Sequence, residues 1–596
     1  MRKTRNRQPA AKRVESRQVE NRQVAAREGA GDRGAALGAG VAALVLTTFV
    51  GAALIIYSPS LDGRFISDDE HYVSRNAFVH DPTGSNLVAI LDPTSVVSRL
   101  VENYAPVHLL LHAAEWKFFE LEVRGYHVVN VLMHALASWL LLFLFMRSGI
   151  PRGAAIAGAA LFLTHPANVE AVAWISQLKT SAALVLALLA VLAQPRRPIV
   201  GTLLFALALL AKPTAAVALP VVALIAWLRA SSTRSGEAGE TGGWAQWRWS
   251  WLALWGLVLG LFAIAEFAAF GQTAGQAPNL YPELDLRFRM VFANALRYLV
   301  TTVTTLGLSV FHEPPPETTW WSPWWLGSLV ALGLLAWRMV IAFRRRSEEA
   351  VYWSWAVVSF APVCGIIPLP YPIADRYLYF MLPGFIGALL LAGPEFVRWL
   401  ETRLRRASGA PLPWTGIAAC GAVVLCLLFS FRAYARSHTW ISVEHFMGEA
   451  ERNYPNGLSA MTRKASRAAA AYKADEAVAA LNAAHARGYN RLDQVLGDPN
   501  YQHISEDEGF KALLEEWAQE WLEMIQSREA PAQVELRVIA QAQIVLGDLK
   551  AAEAAIVRAI ELGGAKDAEV AQDLLNIRRY IRLEELRNKR GSPRDE

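Results

Sequence analysis

The feature that most limits this chain is a train of apolar runs between residues 36 and 435, with charged residues crowded into 1–35 and beyond 436. A helix that crosses a bilayer needs about 20 mostly apolar residues. Runs near that length lie at 36–57, 126–146, 153–173, 178–193, 198–212, 214–228, 251–270, 324–343, 351–370, 377–394 and 414–433. No water is available inside a bilayer to satisfy backbone amides, so such runs fold as helices. The hydrophobic fraction of 54% would not decide this alone, because soluble chains approach it. The distribution decides it: an all-α, polytopic membrane protein with about eleven spans.

The loop charges give an orientation. Residues 1–35 carry ten Lys/Arg against four Asp/Glu and read as a disordered, cytoplasmic tail. The run that follows is too long for a signal-peptide core and reads as an uncleaved first span. If the tail is cytoplasmic, every second loop should be basic. Those loops hold Arg147 and Arg152; Arg196 and Arg197; Arg229, Arg234 and Arg248; Arg344, Arg345 and Arg346; and Arg398, Arg403, Arg405 and Arg406. The domain from 36 to 435 then carries two long outside loops, 58–124 and 271–323, and the segment 436–596 is extracytoplasmic. Pro106 to Phe119 in the first loop is amphipathic enough to lie along the membrane. Leu286 to Phe311 in the second reads as re-entrant or interfacial, since a full span would invert every later loop. Trp320, Trp321, Trp324 and Trp325 fit an interfacial aromatic belt.

After Arg436 the periodicity is that of soluble amphipathic helices. Residues 458–488 are Ala-rich, 507–527 form another helix, and 534–562 read as a pair broken at Gly547-Asp548. Small residues at helix–helix positions fit a tetratricopeptide-like unit, with a generic helical bundle as the alternative.

Several function classes are excluded by what is missing. Cys364, Cys420 and Cys426 all fall in apolar runs, so neither a disulfide framework nor zinc spacing exists. No phosphate-binding loop or dinucleotide fingerprint is present, which argues against a nucleotide-powered pump. The net charge of +5 sits in the tail and short loops, which points to membrane orientation and not to nucleic acid.

The candidate chemistry lies in polar residues beside apolar runs. Asp68, Asp69 and Glu70 follow the first span closely. A carboxylate there could act as a general base toward a hydroxyl or help hold a divalent metal ion; the alternative is a solvated acidic turn. His127, Asn130 and His134 share one helix face. His165, Glu170, Lys179, Lys212, Asp375 and Arg376 interrupt later runs near their outer ends. Ionisable groups inside a membrane are costly and usually face a cavity or a partner. A basic set converging on one cavity suits a phosphate; the alternative is ion pairs that join helices.

These residues occur in a familiar order. Asp68-Asp69 is followed by Asn103-Tyr104-Ala105-Pro106 and by Gly125-Tyr126-His127-Val128-Val129-Asn130-Val131-Leu132-Met133-His134-Ala135. Then come His165-Pro166-Ala167-Asn168-Val169-Glu170-Ala171-Val172-Ala173-Trp174-Ile175-Ser176, Lys212-Pro213 and Ala374-Asp375-Arg376-Tyr377. The chain resembles the membrane O-mannosyltransferase-like family with C-terminal tetratricopeptide repeats, of the GT-C class, and its bacterial members in particular. The resemblance implies a GT-C-like helix bundle in a bacterial inner membrane, with a periplasmic repeat domain. It implies a glycosyltransferase that moves a sugar from a polyprenyl-phosphate-linked donor to an acceptor, preferably a protein hydroxyl. Asp68, ahead of Asp69, matches the base. Arg376, Lys212 and Lys179 become candidates for the donor phosphate, with Glu70, His127, His165, Glu170 and Asp375 in support. One departure stands out: Leu178-Lys179-Thr180 replaces the family's Arg-Lys-Asp. The alternatives are a membrane-anchored scaffold without catalysis and a transporter of lipid-linked glycans. The expected partners are membrane lipid, the polyprenyl-phosphate sugar and an extracytoplasmic acceptor protein. No cofactor is required by the sequence, and a metal ion is left open.

Overall fold

The computed structural model describes residues 37–101, 103–232, 249–270, 283–366, 371–408, 414–526, 533–562 and 567–591. The basic segment 1–35, Arg234, Arg248 and most of the stretch before Glu283 lie outside the described residues. All regular structure among the described residues is helical. The longer helices are α1 (Ala39–Ile56), α2 (Pro106–Phe119), α3 (Val123–Arg147), α4 (Arg152–Thr164), α5 (Leu178–Ala193), α6 (Pro198–Ala211), α7 (Ala218–Ser232), α8 (Trp249–Phe270), α9 (Leu284–Thr304), α10 (Pro323–Arg344), α11 (Glu349–Phe360), α12 (Leu378–Ser408) and α13 (Trp414–Ser437). They are followed by α14 (Val443–Asn453), α15 (Leu458–Ala470), α16 (Ala474–His485), α17 (Glu508–Gln526), α18 (Gln533–Val545), α19 (Leu549–Leu562) and α20 (Asp567–Gly591).

Among the described residues, seven helices are long and apolar enough to cross a membrane: α1, α3, α5, α8, α10, α12 and α13. The chain is an all-α polytopic membrane protein. Each of the eleven apolar runs forms helix, but four of those helices are shorter than a bilayer. At a rise of about 1.5 Å per residue, the 13 residues of α4 reach only about 20 Å of a core about 30 Å thick. The run 153–173 is cut at His165-Pro166, because Pro166 has no amide to continue the ladder. Lys212-Pro213 separates α6 from α7 in the same way. The run 351–370 closes early, α11 ending at Phe360.

Position in the bundle follows from burial. The most apolar window of Ile175–Ala193 is 83% buried, whereas the windows of α10 and α13 are 11% buried. The α5 helix is thus the central strut, and α10 and α13 present Leu329, Leu334, Leu427 and Phe431 outward, as a lipid-facing helix must. Small residues let helices meet. A Cβ on Gly384 would come within 2.6 Å of the Ala356 amide and the Tyr352 carbonyl, so only glycine admits this contact of α11 with α12. The α9 helix is amphipathic, with Arg289 over Trp320 and Arg297 over Trp324, and it is not among the spans.

Residues 436–453 pack with the bundle: Trp440, Phe446 and Ala450 belong to its core. Two further cores begin beyond them, one around Leu481, Trp517 and Ala542, the other around Leu536, Ile556 and Ile577. The helix pair at 534–562 turns at Gly547, whose φ of +81° is the left-handed conformation that glycine adopts freely.

Candidate functional site

The bundle has two chemically distinct ends. One end gathers the C-terminus of α1, the N-termini of α3, α5 and α12, and the C-terminus of α13. Asn130 on α3 donates to the Trp174 carbonyl at 2.9 Å, and Ser437 on α13 donates to the Ile56 carbonyl at 3.3 Å. The segment after α1 closes over this end, its Arg64 amide bonded to the Ile441 carbonyl at 3.2 Å. Asp68, Asp69, Glu170, Lys179, Lys212 and Arg376 all lie here.

The acidic pair is split by its backbone. Ser67 takes a left-handed φ of +55°, and the two following side chains meet different surroundings. Asp69 is 1% exposed and turns inward. Its carboxylate accepts the Ile66 amide at 3.0 Å, the Ser176 amide at 2.8 Å and the Ser176 hydroxyl. Burial pushes this carboxyl up to about 6, against the pull of those donors. Asp69 therefore ties the loop to the turn before α5. Asp68 is half-buried, and its one side-chain hydrogen bond is accepted from the Ser67 hydroxyl at 3.2 Å. Asp68, Arg376, Glu170 and Tyr377 all bear electrostatically on the Tyr371 phenol, which burial pushes up. Asp68 thus lies within electrostatic reach of Tyr371, which stacks on Arg376. Glu70 instead pairs with Arg75 at 3.2 Å on the surface.

Among the cations, Arg376 is already matched. Its guanidinium pairs with Glu170, which is 1% exposed and also accepts the Arg376 amide at 2.7 Å. Tyr371, Tyr377 and Trp174 surround it at 5.1, 5.1 and 5.6 Å. The two lysines are not matched. Lys179, 7% exposed, donates to the Tyr72 hydroxyl at 2.9 Å and sits 4.3 Å from that ring's centre. Lys212 donates to the Thr180 hydroxyl at 2.6 Å and reaches the Gln177 amide oxygen at 3.5 Å. The charges that bear on Lys212 are Lys179, Arg376 and Glu170. Among the described residues, neither lysine has a carboxylate within ion-pair distance. A buried and a half-buried ammonium group are held here by neutral oxygens alone, an arrangement that attracts an anion.

Two more of the supporting residues have other partners, and a third, His127, is packed in the core. Asp375 faces away, accepting from His312 at 2.7 Å and Arg436 at 2.9 Å. Arg436 bonds Glu449 on α14 at 3.0 Å. His165 bonds the Thr302 carbonyl at 3.0 Å and accepts the Ala167 amide, so it braces a turn. His127 is buried against Gly63, where a Cβ would lie 3.0 Å from its Nε2. No group of three His, Cys, Asp or Glu among the described residues is placed to hold a metal ion.

Tyr72, Ser176, Gln177, Thr180 and Tyr371 complete the site, and the sequence pattern did not single them out. Gln177 and Thr180 do leave a signal: they flank Lys179 at the start of an otherwise apolar helix.

The protein O-mannosyl-transferase Tmtc1 of Drosophila melanogaster is 33% identical over 182 residues, 28% of this chain and 21% of that protein. The protein O-mannosyl-transferase TMTC1 of Mus musculus is 31% identical over 171 residues, 26% of this chain and 17% of that protein. No family model and no solved structure matches the chain. The chain thus spans about a fifth of the length of these curated relatives, and it is similar to O-mannosyl-transferases over about a quarter of its own length.

Proposed function

We propose that this protein is a GT-C-class glycosyltransferase that moves a sugar from a polyprenyl-phosphate donor to a protein hydroxyl. The observation that carries the reading is the pair of unmatched ammonium groups, Lys179 and Lys212, at the same end as the half-buried Asp68. In the proposed reaction the acceptor oxygen attacks the anomeric carbon. Asp68 takes the hydroxyl proton, and the bond from that carbon to the phosphate oxygen breaks. The electron pair leaves with the phosphate, whose charge rises from about −1 in the diester toward about −2 in the monoester. Fixed cations at that point stabilise charge as it develops, which is where electrostatic catalysis acts. With Arg376 matched by Glu170, the two lysines are the cations left to meet that charge. That pair matches the monophosphate product better than the diester donor, so binding strengthens along the reaction.

In this reading the Asp68 end faces the extracytoplasmic side of a bacterial inner membrane, and the helices beyond 453 handle the acceptor. The names of the similar proteins make mannose the first sugar to test. The experiment uses the full chain in lipid nanodiscs with polyprenyl-phosphate mannose, scoring sugar on exported acceptor proteins and release of polyprenyl phosphate. Transfer by the wild type and its loss in Asp68→Asn are expected. Equal transfer by both would exclude Asp68 as the base.

A further inference from the structure

The α2 helix closes the lysine pair from the side of the first long loop, and it carries a group that no partner accounts for. His108 is 0% exposed, yet neither of its ring nitrogens has a hydrogen-bond partner. Its neighbour one turn on, His112, is satisfied at Nδ1 by Glu115 at 2.6 Å. His112 Nε2 and Glu115 Oε1 are also buried without a partner, but His108 lacks one at both nitrogens. Buried polar atoms without partners are rare and costly, and each asks for a ligand or a water.

The surroundings say which ligand fits. The His108 ring lies 4.8 Å, centre to centre, from Tyr72, the same ring that carries Lys179. The charged or titratable groups that bear on it are His112, 4.3 Å away between ring centres, then Lys179 and Lys212. Two cations and an unsatisfied imidazole thus share one neighbourhood, and among the described residues no carboxylate pairs with either lysine. A divalent metal would be repelled by the lysines. An oxyanion would be attracted by them and would accept from the imidazole. Burial and the adjacent cations hold His108 well below its ordinary range, so it meets that ligand as a neutral donor and adds no third charge.

We propose that His108 is a third contact for the lipid phosphate, donating a hydrogen bond from its ring to an oxygen that Lys179 and Lys212 attract. This rests on the reading of the lysine pair as a phosphate site. It specifies a monophosphate: two charges and one neutral donor suit a dianion, and a diphosphate would leave at least one negative charge unmatched.

The test is binding of a short-chain polyprenyl monophosphate to the full chain in nanodiscs, with the corresponding polyprenol as control. His108→Phe keeps a ring against Tyr72 and removes both nitrogens; it is expected to weaken phosphate binding about tenfold to a hundredfold, the worth of one hydrogen bond to a charged group. His108→Gln is expected to regain much of that loss, and binding of the polyprenol should not change in either variant. Wild-type affinity in His108→Phe, with Lys212→Ala weakened, would overturn the role of His108 and leave a buried water as its partner. Wild-type affinity in Lys212→Ala as well would remove the phosphate site and the proposed function with it. If His108→Phe does not fold, the ratio for His108→Gln against His108→Ala decides by the same rule.

Discussion

The two ends of the helix bundle handle charge differently. At the end marked by Arg147, Arg338 is held by both oxygens of Glu349, at 2.7 and 2.8 Å, and by Glu395 at 2.8 Å; Glu395 in turn pairs with Arg345 at 2.6 Å. At the other end, Arg376 is matched by Glu170 and Arg436 by Asp375 and Glu449, but Lys179 and Lys212 meet only neutral oxygens. Matched charges at low dielectric hold helices together; unmatched ones cost stability and persist where a ligand completes them. The first end reads as joinery and the second as a site.

Substitutions at the two ends should therefore fail in opposite ways. The largest effect is expected for Asp68→Asn. A general base contributes about 10²–10⁴-fold, so sugar transfer in nanodiscs should fall by that much. The melting temperature should hardly move, because the Asp68 side chain has one hydrogen bond, from Ser67. Lys212→Ala comes next, with transfer down about 10²–10³-fold for loss of one group that stabilises the leaving charge. Its thermal stability should hold or rise, since a half-buried cation without a carboxylate partner is gone. Arg338→Ala should do the reverse: unfolding by denaturant becomes easier by about 3 kcal/mol, as Glu349 loses its partner, while transfer by the folded fraction persists. A fall in stability with Lys212→Ala equal to that with Arg338→Ala would erase the distinction between the ends.

Asp69 sharpens the contrast within the acidic pair. Its carboxyl is raised from 3.8 to about 6 by burial, so the folded state binds that proton more tightly than the unfolded chain does. The stability this confers is complete below about pH 3.8 and is lost as pH rises through about 6. The difference amounts to at most about 3 kcal/mol. Asp69→Asn should abolish that part of the pH dependence. It should also destabilise the loop by about 1–3 kcal/mol, because an amide nitrogen would face the Ile66 or Ser176 amide. Both are read from melts of the two proteins between pH 4 and 7. The smallest effect is expected where the bundle meets the C-terminal helices. The Glu313 carboxylate accepts the Leu458 amide at 3.1 Å and caps α15 from a distant segment. Glu313→Ala should speed hydrogen exchange in the first turn of α15 by the equivalent of about 1 kcal/mol, with transfer unaltered.

Much of this was readable from residue order. Because a bilayer leaves the backbone no alternative to the helix, apolar length located the seven long apolar helices among the described residues, and four more runs proved too short to span. Alanine and glycine spacing located the C-terminal helix pairs. Polar residues at the ends of apolar runs marked one end of the bundle, since charge inside a membrane is kept near a partner or a cavity. What order could not supply was pairing. Nothing in Asp68-Asp69 says which carboxylate turns inward; Ser176, 107 positions away from Asp69, decides it. Nothing in Asp375-Arg376 says that one side chain serves the α13–α14 joint and the other Glu170. Apolar content is a property of one segment and is legible there. Compensation of charge is a property of pairs brought together by folding, and here it separates the acid that anchors from the acid left free and the matched arginine from the two lysines still lacking a counter-ion.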